Sequence, residues 1–418
     1  MDAHDVIVVG AGLAGLRCAS VLAQSGLDVV VLDAADEVGG RQRTDEVDGF
    51  LLDRGFQLLN PAYPAVGRWV DVQALRLQQF PAGVQVRRDD DVVTLAHPLR
   101  HPGLLPATLR SGLITPSELL ALARWAGPTV VRPRRAVGGK DSTLAVGWRR
   151  AGVRGPLRRE ALEPFLAGVL ADGSGATSDA FVRLLIRTFA LGRPGVPERG
   201  IAALPRQLSS IARLMGADVR TRHRVAGLRT TGRDIEVDVA DADTLSARSV
   251  VVAVGAEAVP GLVDVPARPT RGLQTWWFVT DTPPSASAML RVDGRRRGPL
   301  VNTVVMSNAA PSYAPRGRHL VEATCLLPGA NSGATEREVR RQLGEIWGTD
   351  AADWQLLRRD DILHALPAQA PPLQTTSPAR VSAGVYLAGD HRDTASIQGA
   401  LVSGDRVARA VLGDLTGG

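Results

Sequence analysis

The sequence contains little cysteine and no long hydrophobic run. Cys18 and Cys325 are the only cysteines in 418 residues, too few and too isolated for a disulfide framework or a metal site. We therefore expect a protein without bound metal that works in the reducing cytoplasm. No run of 18 or more apolar residues occurs, so the sequence predicts no membrane-spanning helix.

Lysine and aromatic residues are also scarce. Lys140 is the only lysine, so 48 of the 49 basic residues are arginine, and aromatic residues make up 4% of the chain. The net charge of +6 comes from arginines interspersed with 43 acidic residues. Nucleic-acid-binding proteins concentrate basic residues in patches, and many add aromatic side chains on which bases stack. Neither pattern is present, and we expect no nucleic-acid partner.

The first 34 residues follow the pattern of a strand, a glycine-rich turn, a helix and a second strand. This βαβ pattern with G-x-G-x-x-G is typical of dinucleotide-binding folds. Gly10 permits the tight turn, Gly12 admits a pyrophosphate at the helix N-terminus, and Gly15 allows helix and strand to pack closely. Asp33 stands where a carboxylate binds ribose hydroxyls, which disfavours a 2′-phosphate and hence NADP. The residues expected at the dinucleotide are Gly10, Gly12, Leu13, Ala14, Gly15, Asp33 and Ala34.

The segment after Asp33 distinguishes FAD from NAD. The doublet Gly39-Gly40 is followed by Arg41 and Arg43. This arrangement resembles the second FAD-binding signature of the flavin amine oxidase and phytoene desaturase superfamily. The resemblance implies that Gly40 lies close to the pyrophosphate and that the two arginines offset its charge, which a helix dipole of about half a charge leaves largely uncompensated.

Two later segments match the same superfamily. Residues 219–255 alternate apolar and polar positions as in a β-meander, and by resemblance the backbone of Val225 binds the adenine edge. Residues 384–415 combine an apolar strand, a polar loop and a helix with one apolar face. By resemblance, this segment contacts the ribityl chain through Gly389 and Asp390, and the flavin O2 edge through the backbone of Ile397 and Gln398.

The three signatures together imply FAD, and no second glycine-rich βαβ unit is present for a nicotinamide dinucleotide. No cysteine lies near the C-terminal flavin segment, so we expect the FAD to be bound non-covalently. We predict an α/β fold, with a Rossmann-like FAD-binding domain of the glutathione-reductase type and an inserted α+β substrate domain. The FAD-binding domain is expected at 1–80, 195–265 and 370–418, and the substrate domain at 81–194, a helical insert, and 266–369, a β-sheet.

Three residues are candidates for a catalytic role. The stretch around Gly55, Phe56 and Gln57 resembles the phytoene-desaturase-related branch, which implies that it runs beside the isoalloxazine ring. Gln57 would then hydrogen-bond the flavin edge or a substrate. His391 and Asp393, in the loop expected to face the flavin, are the nearest candidates for a general base. For each of these three residues the alternative is a hydrogen-bonded core or loop residue without a catalytic role.

Absent residues also bear on the substrate. In typical flavin amine oxidases a lysine holds a water near flavin N5, and an aromatic residue before the C-terminal helix forms one wall of an amine cage. Lys140 lies outside the expected region, and Ser396 occupies the position of the cage aromatic. We therefore expect hydride transfer to flavin N5 from a hydrophobic, carotenoid- or isoprenoid-like substrate, with oxygen or a quinone as electron acceptor.

Two other functions stay open. An amine or amino-acid oxidase would need a cage built from residues such as Phe56, Trp277 and Tyr313. Trp276 and Trp277 are adjacent in an expected strand, so at most one of them can face a cavity. A flavoprotein with a redox-neutral isomerase activity, or with no catalytic role, would use FAD without net oxidation of a substrate.

Residues 100–135 combine apolar positions with bordering arginines. This pattern is compatible with a surface that contacts an anionic membrane. The interpretation we favour is amphipathic helices that cover the cavity and pack on the rest of the domain. The apolar inserts also leave a homodimer open.

Overall fold

The computed structural model describes residues 3–416. These residues form nineteen strands and twelve α-helices. The strands are β1 (Ala3–Val9), β2 (Val29–Leu32), β3 (Thr44–Val47), β4 (Phe50–Asp53), β5 (Gln78–Gln79), β6 (Gly83–Arg87), β7 (Val92–Ala96), β8 (Gly195–Val196), β9 (Asp218–Arg220), β10 (Val225–Thr231), β11 (Asp234–Val239), β12 (Leu245–Val252), β13 (Thr270–Thr280), β14 (Leu290–Asp293), β15 (Leu300–Val305), β16 (His319–Leu327), β17 (Gln355–Pro367), β18 (Arg380–Ser382) and β19 (Val385–Leu387). The helices are α1 (Leu13–Gln24), α2 (Pro64–Trp69), α3 (Leu105–Arg110), α4 (Pro116–Val131), α5 (Pro133–Val137), α6 (Leu144–Ala151), α7 (Glu163–Leu170), α8 (Asp179–Leu191), α9 (Ala203–Leu214), α10 (Met306–Ala309), α11 (Glu336–Trp347) and α12 (Ile397–Thr416).

The first sheet has eight strands around a parallel centre. Its order is β10-β11-β12-β1-β2-β9, and β19 pairs in parallel with the second half of β12 and carries β18 at its edge. The apolar run Val6–Val9 is buried on both faces, one of which packs on α1, α9 and α12. A strand buried on both faces requires such a continuous apolar run. The expected Rossmann-like α/β fold is confirmed.

The second sheet has seven strands in the order β17-β13-β16-β15-β14-β6-β7. Its neighbours are antiparallel except β14 and β6, which are parallel. All its strands come from 81–194 and 266–369, and all strands of the first sheet come from the other three segments. The division into two folding domains itself stays a prediction.

One expectation for the insert at 81–194 was incomplete. It was expected to be helical, but β6 and β7 form a hairpin at the edge of the second sheet. The first strand, β6 (GVQVR), alternates in polarity, whereas β7 (VVTLA) does not, and their turn contains three consecutive aspartates. The pairing partner of β6 is β14, about 200 residues later, and a local pattern cannot indicate so distant a partner.

The helical part of the insert packs against the second sheet and around the helix pair α4 and α8. Among residues 3–416, no helix is both long and apolar enough to cross a bilayer.

Candidate cofactor and substrate site

Both sheets contribute residues to one cavity of 820 Å³. This volume lies within the range of 300 to 1,000 Å³ that is usual for ligand pockets. Fifteen of the eighteen residues expected to bind the cofactor line it, and these are Gly10, Gly12, Leu13, Ala14, Asp33, Ala34, Gly40, Arg41, Gly55, Phe56, Gln57, Val225, Gly389, Asp390 and Ile397.

Of the three motif glycines, Gly10 in the turn after β1 and Gly15 inside α1 are fixed by packing, and Gly12 faces open space. A Cβ on Gly10 would lie 2.7 Å from the Ala253 carbonyl oxygen, and one on Gly15 would lie 1.9 Å from the Gly10 oxygen. Gly10 also has a φ of +107°, which disfavours any side chain. A Cβ on Gly12 would meet no atom within 4 Å. Gly15 therefore serves helix–strand packing, while Gly12 leaves the cavity open at the start of α1.

Asp33 directly follows β2 and lines the cavity. One carboxylate oxygen accepts a hydrogen bond from the Ala11 backbone N–H at 2.6 Å, and the other accepts one from the Ala35 N–H at 2.8 Å. A carboxylate offers about four lone-pair sites, so acceptor capacity remains for ribose hydroxyls. The two backbone bonds fix the carboxylate beside the glycine turn.

The two arginines after the glycine doublet lie in different places. Arg41 lines the cavity, where its guanidinium donates to Asp390 at 2.7 Å and to the Ala365 carbonyl at 2.9 Å. Arg43 is buried outside the cavity lining and donates to Asp36 at 2.7 Å. The expectation that both arginines face the pyrophosphate is therefore corrected for Arg43. A sequence pattern gives the position of an arginine but not the direction of its long side chain.

The turn before α12 holds two of the catalytic candidates outside the cavity lining. His391 is buried, and a Cβ on Gly389 would lie 2.4 Å from its Cε1 atom. Burial lowers the pKa of His391 to about 4 and raises the pKa of Asp393 to about 6. Neither residue lines the cavity, which corrects the expectation that they face a substrate. His391 instead supports the backbone of Gly389, which does line the cavity.

The start of α12 also differs in detail from the expectation. Ile397 lines the cavity, but Gln398 does not. The side-chain oxygen of Gln398 accepts a hydrogen bond from the Ala65 N–H at 2.8 Å. Ser396 lines the cavity and accepts from the Gly399 N–H at 3.1 Å. One of the first helical N–H groups is thus already bonded within the protein.

Gln57, the third catalytic candidate, lies in the cavity lining. Its side-chain nitrogen donates to the backbone carbonyls of Arg41 at 2.8 Å and Arg54 at 3.0 Å. These bonds join the loop after the glycine doublet to the loop after β4. Its amide nitrogen is therefore engaged by the backbone, which leaves the amide oxygen as an acceptor.

The cavity wall contributed by 81–194 and 266–369 differs from the rest of the lining. The residues that these two segments contribute to the described lining include no ionisable side chain. The other segments contribute several, among them Asp33, Arg41, Glu257 and Asp390. The large apolar side chains of this wall are Phe165, Val169, Leu170, Phe181, Leu185, Phe189, Leu273, Leu290, Ile362 and Leu366.

A cluster of buried polar groups lies on the face of the second sheet that borders this wall. Asn302 and Thr324 are cross-strand neighbours and both line the cavity. The Thr324 hydroxyl is bonded to Glu322 on the same strand. Among the described residues, no hydrogen-bond partner is found for Asn302 Oδ1, Glu322 Oε2, Thr275 Oγ1 or Trp277 Nε1.

Sequence reasoning missed this cluster, although a signal was present. Asn302 and Glu322 are polar residues inside apolar strands, "LVNTVV" and "HLVEATCLL". Buried polar side chains are normally paired, so such positions mark a site worth inspection. Burial raises the pKa of Glu322 to about 8, and the group is therefore mostly a neutral acid at pH 7.

Two of the three aromatic residues considered for an amine cage lie outside the cavity lining. Trp277 and Tyr313 are fully buried in the apolar cluster behind it, and the Tyr313 hydroxyl donates to Asp53 at 2.8 Å. Trp276 packs on the opposite face of the sheet, against α11. Only Phe56 lines the cavity.

These features fit FAD. The open space over Gly12 and the fixed carboxylate of Asp33 suit a pyrophosphate and a ribose. A Cβ on Gly40 would lie 3.6 Å from the Gly12 Cα, so the glycine doublet lies against the turn. The remaining cofactor residues extend from there to Asp390 and the start of α12. The fold and the site together define an FAD-dependent oxidoreductase.

Comparisons with known proteins agree with this class. The model of the family "flavin containing amine oxidoreductase" matches residues 13–412, and the chain belongs to this family. Putrescine oxidase from Kocuria rosea is 43% identical over 76 residues, which is 18% of this chain and 16% of that protein. Hydroxyneurosporene desaturase from Rubrivivax gelatinosus is 41% identical over 90 residues, which is 20% of this chain and 17% of that protein. Each match spans less than a fifth of the relative.

The fold is shared over almost the whole chain with a solved structure. The crystal structure of an oxidoreductase from Methanosarcina mazei superposes with a TM-score of 0.76, covers 97% of this chain and 100% of its own, and is 18% identical. The expected family and its flavin cofactor are confirmed by the family match over residues 13–412. At this identity the likeness concerns the fold and leaves the substrate to the residues of the site.

Proposed function

We propose that the protein removes a hydride from an uncharged, lipophilic substrate of the carotenoid or isoprenoid type. The observation that carries this proposal concerns the cavity wall formed by 81–194 and 266–369. None of the described residues in this wall is ionisable. Burying a charge against such a wall without a partner is strongly unfavourable, whereas apolar surface gains about 25 cal/mol per Å² on burial. The wall therefore suits a substrate without charge.

The protein residues bind and orient this substrate. Side chains of α7 and α8, such as Phe165 and Leu185, exclude water from the reacting carbon. Asn302 and Thr324 offer hydrogen bonds at one point of the wall, which suits a hydroxyl or carbonyl group and fixes the direction of the chain. The chemistry that bound FAD supplies is acceptance of the hydride, with dioxygen or a quinone as final electron acceptor.

The same wall weighs against an amine or amino-acid substrate. An ammonium group needs a carboxylate or an aromatic cage, and a carboxylate needs a cation. Of the cage candidates only Phe56 lines the cavity, and Ser396 stands at the position of the cage aromatic. The wall contains Phe165, Phe181 and Phe189, but no carboxylate accompanies them there. These observations support the uncharged substrate over the amine.

The test uses the holoprotein without oxygen. We expect an isoprenoid alcohol such as geranylgeraniol, or phytoene in micelles, to bleach the flavin absorption, and putrescine and benzylamine to leave it unchanged. Bleaching by an amine would overturn the proposal. Turnover without bleaching, and only after the flavin has been reduced, would replace it with a redox-neutral isomerase.

A pair of variants on one helix provides the control. Phe189 lines the cavity, whereas Leu191, two residues later on α8, is 52% exposed. Phe189→Ala should raise KM about tenfold, because truncating a partly buried aromatic side chain removes about 1.5 kcal/mol of apolar burial. Leu191→Ala should leave KM unchanged. Equal KM values for both variants would show that the apolar wall does not hold the substrate.

A further inference from the structure

The helical insert carries an unusual number of exposed apolar side chains. Among the described residues, ten large apolar side chains are exposed, and six of them lie between residues 99 and 131. We call this set the insert surface, and it consists of Leu99 (87% exposed), Leu105 (38%), Leu109 (59%), Leu119 (48%), Leu120 (60%) and Val131 (77%). Single exposed apolar residues are ordinary, but a concentration of them marks an interaction site.

Helix α4 shows why this surface is not a by-product of core packing. Its buried residues follow the spacing of one helix face, from Glu118 through Ala121 and Trp125 to Thr129, and this face packs on α8. The opposite face should therefore be polar in a helix that water covers. It presents Leu120, Val131 and small apolar residues instead, with Arg124 as its only charge.

The charges around the insert surface have one sign. Arg110, Arg124, Arg132 and Arg134 are exposed, and none of them forms an ion pair among the described residues. Glu118 is the only acidic residue between 99 and 134, and it is buried and bonded to Thr115. Some arginines elsewhere on the surface do pair with acidic residues; Arg229, for example, pairs with two carboxylates.

We propose that α3 and α4 form a docking surface for an anionic lipid bilayer. Leucines that enter the acyl boundary, bordered by cations that meet anionic headgroups, are the features that hold a helix in a membrane interface. A second copy of this chain fits less well, because a two-fold contact would place these arginines against their own copies.

The surface is also close to the cavity. The buried face of α4 belongs to the same apolar cluster as Leu170, Phe181 and Leu185, which line the cavity. One layer of helices thus separates the bilayer from the apolar wall. If the proposed lipophilic substrate is correct, the docked enzyme takes it up directly from the membrane, but the docking itself does not depend on that function.

The test measures co-sedimentation of the holoprotein with vesicles, so it requires no substrate. We expect binding to vesicles of phosphatidylcholine with one quarter phosphatidylglycerol, weaker binding as salt rises, and at least tenfold weaker binding to pure phosphatidylcholine. The double variant Leu120→Ser, Val131→Ser should lower the affinity at least tenfold. The matched control is Leu214→Ser on α9, because Leu214 is 79% exposed but lies on the first-sheet side.

The charge contribution has its own pair of variants. Arg124→Glu with Arg132→Glu should reduce binding at least twentyfold, since each arginine near an anionic surface contributes about a fivefold factor. Arg233→Glu, in the exposed turn between β10 and β11, should change vesicle binding little. Flavin content and circular dichroism show whether each variant is folded.

Three results would overturn the proposal. The first is no binding of the wild type to anionic vesicles. The second is equal binding by the insert-surface variants and their controls. The third is a dimer in solution that Leu120→Ser dissociates, since a second copy would then cover the surface. None of these results depends on whether the substrate proposal is correct.

Discussion

A carboxyl group that is fully buried without a cation is expected to stay protonated, and Glu322 is such a group. It is 0% exposed, and its side-chain hydrogen bond is with the Thr324 hydroxyl. Burial raises its pKa from 4.5 to about 8. The folded protein therefore holds a proton that the unfolded chain releases once the pH exceeds about 4.5.

Because of this pKa shift, we predict that Glu322→Gln raises the free energy of unfolding relative to the wild type, and does so more as pH rises. Where the folded state binds more protons than the unfolded state, stability falls as pH rises, so the wild type should lose stability between pH 4.5 and 8. At about 1.4 kcal/mol per pKa unit, the loss relative to pH 4.5 is roughly 3 kcal/mol at pH 7. The variant keeps the shape and a hydrogen bond to Thr324 but has no proton to lose. Urea unfolding should show that the free energy of unfolding of the variant, relative to that of the wild type, is higher at pH 7 than at pH 5.

The control is Glu46→Gln, because Glu46 is an exposed residue of β3. It removes the same charge from the chain without a buried group. A Glu322→Gln effect that is the same at both pH values, or one that Glu46→Gln reproduces, would contradict a buried neutral acid at 322.

Single residues also show where sequence reasoning succeeds. Gly10, Gly12 and Asp33 could be placed at the dinucleotide because their roles follow from local spacing within one βαβ unit. The Glu322 cluster could not, because it is assembled from β13, β15 and β16 by strand pairing. The separate directions of Arg41 and Arg43 depend on Asp390 and Asp36, of which Asp390 is about 350 residues away.

At the scale of elements, long periodic segments were predictable and short or distant pairings were not. The sequence over 116–131 has helical periodicity and that over 319–327 is a mainly apolar run, and these ranges coincide with α4 and β16. The sequence at 300–307 shows no break, yet β15 ends at Val305 and α10 follows. The hairpin β6-β7 was missed although its own pairing is local; only its place beside β14 depends on a distant pairing.

The turn between β19 and α12 allows a prediction at this scale. Gly389 has a φ of +149°, and a Cβ there would collide with the His391 ring at 2.4 Å. Strain of 1 to 3 kcal/mol at such a position must displace the turn, so Gly389→Ala should weaken FAD binding about tenfold or more. The measurement is the Kd for FAD added to the apoprotein.

The matched control is a glycine near the C-terminal end of α12, the helix that follows this turn. A Cβ on Gly413 would meet no atom within 4 Å, and the residue is exposed near the end of α12. Gly413→Ala should leave FAD affinity unchanged and stabilise the helix by up to about 1 kcal/mol. Unaltered FAD binding by Gly389→Ala would show that this turn does not position the cofactor.

At the scale of the whole molecule, the two sheets meet around the cavity. Arg41, on the loop after β2, donates to Asp390 near α12 and to the Ala365 carbonyl on β17 of the second sheet. Lining residues come from both sheets, so FAD held at Arg41 would be linked to the second sheet through the Ala365 carbonyl. The sequence indicated this arrangement because the cofactor signatures lie in three separated segments, which must come together in space.

Removal of FAD should therefore destabilise the entire molecule. A ligand present at about a thousand times its Kd stabilises the folded state by about 4 kcal/mol, which for a chain of this size corresponds to a Tm roughly 5 to 10 °C higher.

Arg41→Gln should reduce this Tm difference between holoprotein and apoprotein, because it removes a cation from the cavity and the bridge to β17. Arg43→Gln should preserve the Tm difference, since Arg43 pairs with Asp36 outside the cavity lining. Differential scanning calorimetry of both forms provides the comparison, and equal Tm values with and without FAD would show that the cofactor does not join the two sheets.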